Sequence, residues 1–336
     1  MNRGAHTSNS LLFVLAIAIS LLGTRSLGQT SLGDVHIGSR DVHATSPAIK
    51  STSPQKEINT PFKVDVDLVL VPVTVTDDSH RIVLGLDKEN FQIFENKQSQ
   101  PLQTFSRTDM PISIGVIFDT SGSMSTKIDR AREAVTAFLK TANPQDEFFV
   151  ITFADTPTGL VDFTTSTEDV QNKLLFATPR GMTSLLDAIY LGVSKLRQAQ
   201  YSKKALLIIS DGGDNHSRYT EHDVKNIVKE SDVMIYAIGI YDRYFRTEEE
   251  RLGPGLLSDI SELTGGRSFS LDNLNDLPDV ASKIGVELRN QYVLGYRPTK
   301  AARDGKWHKI KVKLLAPKGL PPLQVYARQG YYARTE

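Results

Sequence analysis

ISIGVIFDTSGSM, from Ile112 to Met124, is the stretch that decides the fold of this chain. Its first seven residues, preceded by Pro111, predict a strand that is buried on both faces. Asp119 then stands at the carboxyl end of that strand. In parallel α/β sheets this edge is where loops converge on ligands, at the point where the strand order reverses.

Asp119, Ser121 and Ser123 occupy alternate positions after this strand. Oxygen ligands of this kind suit a hard cation, and Mg²⁺ takes about six oxygens while it keeps several waters. Because hydroxyls are neutral, the ion would keep an electrophilic open position, which favours binding a carboxylate from another molecule over catalysis. The alternative is that these serines and Thr126 only cap a helix that starts near Lys127.

A second buried strand is predicted from Lys204 to Ile209, and an acidic turn follows it. Asp211 in that turn is placed as Asp119 is after the first strand. Between the two strands, Thr183 precedes an amphipathic helix predicted from Ser184 to Gln198 and offers a hydroxyl from a third loop. Simpler explanations stay open here: Asp-Gly is a common turn pair, and Ser184 with Asp187 could form a capping box.

Taken in this order, the residues match the metal-ion-dependent adhesion site of von Willebrand factor A domains, and the chain resembles that family. The resemblance implies a Rossmann-like domain in which the two serines and the threonine contact Mg²⁺ or Mn²⁺. The two aspartates would hold the ion directly or through water, and an Asp or Glu of a protein partner would complete the shell. One departure is Met182, where the family often has a second glycine. The implied metal ligands are Asp119, Ser121, Ser123, Thr183 and Asp211.

Helices and strands alternate through residues 111–291, which predicts a Rossmann-like, doubly wound, mostly parallel sheet with helices on both faces. Further strands are expected at 147–153, 160–163, 233–240 and 267–271, and further helices at 128–141, 167–176, 221–230, 255–264 and 277–289.

The two flanks, residues 61–110 and 292–334, show the short alternating strands of an antiparallel β-sandwich. Neither flank has the roughly seven strands of a complete sandwich. We therefore expect the flanks to join into one smaller module with the α/β domain inserted between them. With the centre, they resemble secreted bacterial proteins of the von Willebrand factor A type that are abundant in acidobacteria. The strands are expected at 64–76, 81–84, 91–94, 102–105, 291–297, 307–315 and 323–328.

The segment from Tyr241 to Gly255 follows a predicted strand and is long for a loop, and long loops are usually functional or disordered. Its aromatic and charged residues suit a recognition rim, that is, a ring of residues around the cation site that contacts the partner. The residues expected to select the partner are His216, Arg218, Tyr219, Tyr241, Arg243, Tyr244 and Phe245.

Residues 1–28 have the pattern of a secretory signal peptide, with the apolar run Leu11–Leu22 and small residues before Gln29. The run is shorter than the roughly 20 residues that span a bilayer, although retention as a tilted anchor is the alternative. Residues 29–60 are polar and predict a flexible linker. The chain has no cysteine, which excludes a lipoprotein attachment and disulfides. The expected location is periplasmic or extracellular, without a membrane span after cleavage.

The chain lacks the excess of basic residues that is typical of nucleic-acid-binding proteins, since 39 basic residues match 39 acidic ones. The seven histidines form no HExxH motif, and Ser121 does not lie in the G-x-S-x-G elbow of a hydrolase. The leading hypothesis is thus an exported, non-enzymatic, metal-dependent protein-binding module. The alternatives are a structural component in which a cation braces three loops, and a metal-assisted hydrolase.

Overall fold

The computed structural model describes residues 68–107, 109–241, 248–299 and 303–335. The predicted signal peptide and linker lie outside these residues. The strands are β1 (Val69–Asp77), β2 (Phe91–Glu95), β3 (Gln98–Gln100), β4 (Leu102–Ser106), β5 (Ser113–Asp119), β6 (Glu147–Phe153), β7 (Pro157–Thr164), β8 (Lys204–Ser210), β9 (Val233–Ile240), β10 (Ser268–Leu271), β11 (Tyr292–Tyr296), β12 (Trp307–Leu314), β13 (Leu323–Ala327) and β14 (Gly330–Tyr332). The helices are α1 (Ile128–Leu139), α2 (Thr167–Leu174), α3 (Leu185–Lys195), α4 (Glu221–Glu230), α5 (Glu248–Thr264) and α6 (Leu277–Arg289).

Six strands form the central sheet in the order β10-β9-β8-β5-β6-β7. The strands are parallel except for the edge strand β7, which runs antiparallel to β6. After β5 the chain passes to β6 on one side and later returns to β8 on the other. The strand order therefore reverses beside the carboxyl end of β5, which is the usual ligand position in such sheets. The predicted α/β fold class is confirmed.

Strand β5 is buried along its whole length, as its apolar sequence predicts. Its side chains alternate between two cores, because successive residues of a strand point to opposite faces. Val116 and Phe118 pack in the core covered by α1, α2 and α6. Ile117 packs in the core covered by α3, α4 and α5. This packing fixes the position of Asp119 at the end of the strand.

Two four-stranded antiparallel sheets, β13-β1-β11-β4 and β14-β12-β2-β3, lie outside the α/β region. Each sheet combines strands from both flanks, since β1 pairs with β11 and β2 pairs with β12. One apolar cluster takes side chains from both sheets, such as Val73 and Ile93. The two flanks thus share one core. Neither flank has enough strands for a sandwich alone, because each sheet takes strands from both.

The strand predicted at 81–84 is wrong. The chain turns tightly after β1, where His80 has a φ of 57°, and only Ile82 forms an isolated bridge, to Thr76. The short strands β3 and β14 were not expected, because three-residue pairings have no sequence period to detect. Among the described residues, the helices are all too short or too polar to span a membrane.

Candidate functional site

The candidate site begins at Asp119, whose side chain is fully buried. Its Oδ1 accepts a hydrogen bond from the Ser121 backbone N–H at 2.8 Å, and its Oδ2 accepts one from the Ser210 hydroxyl at 2.6 Å. Burial, together with the nearby negative charge of Asp211, raises the pKa of Asp119 to about 7. The carboxylates of Asp119 and Asp211, at the ends of neighbouring strands, are therefore both buried away from water. A bound cation would lower their electrostatic energy.

The Ser121 and Ser123 hydroxyls lie together, with their Oγ atoms 3.0 Å apart. Ser121 is buried and Ser123 is exposed, so the pair reaches from the interior to solvent. The alternative that these residues cap a helix is wrong. Ser121 makes no side-chain cap for the short turn that follows it, and α1 has Lys127 rather than a hydroxyl residue at its N-cap position.

Backbone hydrogen bonds join the loop of Thr183 to the loop after β5. The N–H of Gly122 donates to the carbonyl of Gly181 at 3.0 Å, and the N–H of Arg180 donates to the carbonyl of Thr120 at 2.8 Å. The positive φ of Gly181, 78°, suits glycine, and a Cβ there would lie 2.6 Å from an oxygen of Asp155. The first two loops are therefore fixed to each other by the main chain.

Thr183 is also attached to the loop after β8. Its N–H donates to Asn215 Oδ1 at 2.9 Å, and its carbonyl accepts from the N–H groups of Asn215 and His216. The alternative that Ser184 and Asp187 form a capping box is wrong. The Ser184 hydroxyl is buried and has no hydrogen-bond partner among the described residues, while Asp187 accepts from the N–H groups that follow Ser217.

Lys127 is a residue of this site that the sequence analysis missed. Its ammonium lies 3.3 Å from Asp211 Oδ2 and 3.4 Å from the carbonyl oxygen of Ile240, and both charged side chains are buried. A lysine at a helix N-terminus is unfavourable for the helix dipole. That mismatch is the signal that could have pointed to a buried acidic partner.

The donor set fits a hard divalent cation. It consists of two carboxylates and three hydroxyls, all oxygen, and no further His, Cys, Asp or Glu joins them into a cluster of three or more within the described residues. Lys127 offsets the charge of Asp211, and Asp119 forms no salt bridge among the described residues. The charge of a divalent ion here would exceed the remaining negative charge, which is that of the Asp119 carboxylate. The site would then attract a further carboxylate.

The predicted recognition rim divides into three groups. His216, Arg218 and Tyr219 are exposed, and the Tyr219 ring stacks on Tyr190 with centroids 3.8 Å apart. Tyr241 is not a rim residue, because it is only 4% exposed and packs against the backbone of Gly239. Arg243, Tyr244 and Phe245 lie outside the described residues.

The loop predicted from Tyr241 to Gly255 is too long, because α5 begins at Glu248 and contains Pro254. Acidic residues favour the first turn of a helix, whereas the proline and glycines in the sequence suggested a loop. Tertiary packing supports the helix instead. A Cβ on Gly253 would lie 2.5 Å from the carbonyl oxygen of Gly212, so α5 contacts the turn that follows Asp211.

Residues 114–213 match the family model of the von Willebrand factor type A domain, and the chain therefore contains such a domain. An uncharacterized protein of Borreliella burgdorferi is 24% identical over 184 residues, which cover 48% of this chain and 54% of that relative. The chain thus spans about half the length of the curated relative that it matches.

Solved structures to which this chain is similar include those of three bacterial proteins. A von Willebrand factor type A protein from Catenulispora acidiphila has 11% identity and a TM-score of 0.47, covering 82% of this chain and 76% of that chain. BatB from Bacteroides thetaiotaomicron has 16% identity and a TM-score of 0.44, covering 53% and 98%. The vWF domain of the type V pili tip protein Mfa5 from Porphyromonas gingivalis has 13% identity and a TM-score of 0.41, covering 54% and 97%.

Proposed function

We propose that this chain, built around a von Willebrand factor type A domain, is an exported protein-binding module that depends on Mg²⁺ or Mn²⁺. The ion would be held by Asp119, Ser121, Ser123, Thr183 and Asp211, and it would accept an Asp or Glu carboxylate from a protein partner. The observation that carries the proposal is the convergence of three loops, in which Asp119 and Asp211 are buried together and Ser123 opens to solvent.

The charge of the site supports recognition of an acidic partner. Lys127 already pairs with Asp211, so a bound divalent ion would face mainly one uncompensated carboxylate. An ion in this environment keeps net positive charge, and a carboxylate is the protein group that best completes a hard cation's oxygen shell. The exposed rim residues His216, Arg218 and Tyr219 would then contact the surface around that carboxylate.

Binding explains the site better than bracing does. Direct hydrogen bonds already join the three loops, through Gly122 with Gly181 and through Thr183 with Asn215. A cation is therefore not needed to hold the loops in place. Export is proposed from the apolar run Leu11–Leu22 and the small residues that follow it.

The experiment measures cation binding and partner binding separately. Titration of the full chain with Mn²⁺ should show one site, and Asp119→Ala should abolish it. The immobilised chain should capture an envelope protein in Mg²⁺ and lose it in a chelator. Ser123→Ala should weaken both properties without loss of folding, since Ser123 is exposed.

Asp78→Ala is the matched control, because Asp78 is an exposed carboxylate in a turn away from the site. It should behave as the unaltered chain in both measurements. Partner capture that persists in chelator, together with a cation-dependent melting temperature, would favour the bracing role. Capture that persists in Asp119→Ala would refute the proposal.

A further inference from the structure

A cleft of about 520 Å³ lies at the amino-terminal edge of the parallel sheet. Lys204 and Val233, the first residues of β8 and β9, line one side, and Leu70 and Val293 of the first antiparallel sheet line the other. A volume of this size is typical of small-molecule sites. The candidate cation site lies at the opposite end of the same strands, so the cleft is a separate feature.

Apolar side chains gather at this cleft without being covered. Leu68, Leu70, Met110 and Tyr332 line it and are 39%, 48%, 38% and 40% exposed. The indole of Trp307 stands beside Tyr332, with ring centroids 5.2 Å apart. Contiguous exposed apolar surface marks a binding site more often than it marks ordinary surface.

The cleft is basic although the whole chain is neutral. Among its described lining residues six are Lys or Arg and two are Asp or Glu, whereas the chain has 39 of each charge. One of the two acids, Asp232, is paired with Arg328 at 2.6 Å. The excess positive charge is therefore local and is not a property of the whole surface.

Lys203 is a partly buried cation of this cleft. Its ammonium donates to the carbonyl oxygen of Leu288, near the end of α6. Burial lowers the pKa of Lys203 to about 8, although Asp109 acts in the opposite direction. Because part of its hydration is already lost on folding, an entering anion gains attraction at a smaller desolvation cost.

We propose that this cleft binds an anionic amphiphile of the fatty-acid type. Its carboxylate would contact Lys203, and its hydrocarbon chain would cover Leu70, Met110 and Trp307. The basic part of the cleft would bind the anionic head of such a ligand, and the apolar part would bind its hydrocarbon chain. A neutral amphiphile lacks the anionic group that would meet Lys203, and a small anion lacks the hydrocarbon chain that would cover the apolar wall.

Trp307 is the single tryptophan of the chain, so its fluorescence reports on the cleft directly. Dodecanoate, added below its micelle concentration, should change this fluorescence saturably, and calorimetry should give one site. Dodecyl maltoside, which has the same chain and a neutral head, should bind at least about tenfold more weakly. Acetate should give no change.

Two independent variants locate the ligand. Lys203→Met should weaken dodecanoate binding about tenfold, as expected for loss of one charge-assisted contact. Leu70→Glu should weaken it as well, and this variant should fold because Leu70 is half exposed. Lys311→Met removes an exposed lysine that does not line the cleft, and it should bind as the unaltered chain does.

Equal binding of dodecanoate and dodecyl maltoside would overturn the proposal, and so would unchanged binding in both Lys203→Met and Leu70→Glu. Asp119→Ala should retain dodecanoate binding. This variant separates the cleft from the proposed function, since its loss of cation binding tests the other end of the sheet alone.

Discussion

Asp119 buries its carboxylate beside Asp211, and this proximity raises the free energy of the folded chain unless a divalent ion offsets it. Its ordinary pKa is 3.8, and in the folded chain it is raised to about 7, by burial first and by the charge of Asp211 second. The folded state therefore binds a proton more tightly than the unfolded state does. Without a divalent ion, stability falls as the pH rises from 3.8 towards 7.

Asp119→Asn should remove this penalty. In the absence of divalent ions we expect the variant to be more stable than the unaltered chain at pH 8, by roughly 2–4 kcal/mol, because position 119 then buries no negative charge beside Asp211. The difference should shrink at pH 5, where the aspartate in the folded chain is protonated. Denaturant titrations of both chains at the two pH values measure this, and a difference that does not depend on pH would contradict it.

Lys127 neutralises Asp211 and so competes with a metal ion for the same charge. Lys127→Met should destabilise the metal-free chain by about 3–5 kcal/mol, as expected when one partner of a buried ion pair is lost. The same variant should bind Mn²⁺ more tightly, since Asp211 is left uncompensated. Lys140→Met, which removes an exposed lysine directly after the same helix, is the control. Mn²⁺ affinities that match in the two variants would show that Lys127 does not tune the site.

At the scale of elements, the site depends on how α5 packs beside the loop after β8. Gly212 has a φ of 76°, and Gly253 of α5 lies directly against its backbone. The absence of side chains at both positions allows this contact. The Asp211 turn is therefore held between the sheet edge and a helix rather than exposed in a free loop.

Two alanine substitutions in α5 test this contact. Gly253→Ala should destabilise the chain by about 1–3 kcal/mol and weaken Mn²⁺ binding, because its Cβ would lie 2.5 Å from a backbone oxygen. Gly255→Ala has nothing within 4 Å of its Cβ. It should stabilise the chain by about 0.5–1 kcal/mol through helix propensity. Melting temperatures that move in the same direction for both would be inconsistent with the contact.

At the scale of the whole molecule, Arg267 links the α/β region to the antiparallel sheets. Its guanidinium pairs with buried Glu287 of α6, lies 3.0 Å from His80 Nδ1, and stacks over the rings of Phe269 and Tyr326. Burial raises the pKa of Glu287 even though Arg267 opposes the shift. One cation thus joins the last helix to the turn after β1 and to strand β13.

This link predicts cooperative unfolding. The six α-helices of the described residues belong to the α/β region, and Trp307 belongs to the antiparallel sheets. Helical circular dichroism and Trp307 fluorescence should therefore give coincident denaturant transitions in the unaltered chain. Arg267→Met should lower stability by about 3–5 kcal/mol and separate the two transitions. Arg130→Met, an exposed arginine of α1, should leave them together. Coincident transitions in Arg267→Met would exclude the proposed coupling.

The sequence by itself determined the elements with a strong period. The strands predicted at 112–118 and 204–209, which the structure extends by one residue to Asp119 and Ser210, and the helix Glu221–Glu230 follow directly from apolar patterning, because burial of one face or both faces leaves a regular signal. The same patterning placed Asp119 and Asp211 at one sheet edge. Whether they hold a cation stays a prediction.

Only the tertiary structure decided which residues meet across long sequence distances. The Lys127–Asp211 pair, the burial of Tyr241 and the contact of Gly253 with Gly212 depend on how elements pack, and the basic cleft depends on strands from both flanks. Local sequence reports local conformational preference and the side on which a residue is buried. It does not report the neighbour, because contact energies arise only after distant segments have been brought together.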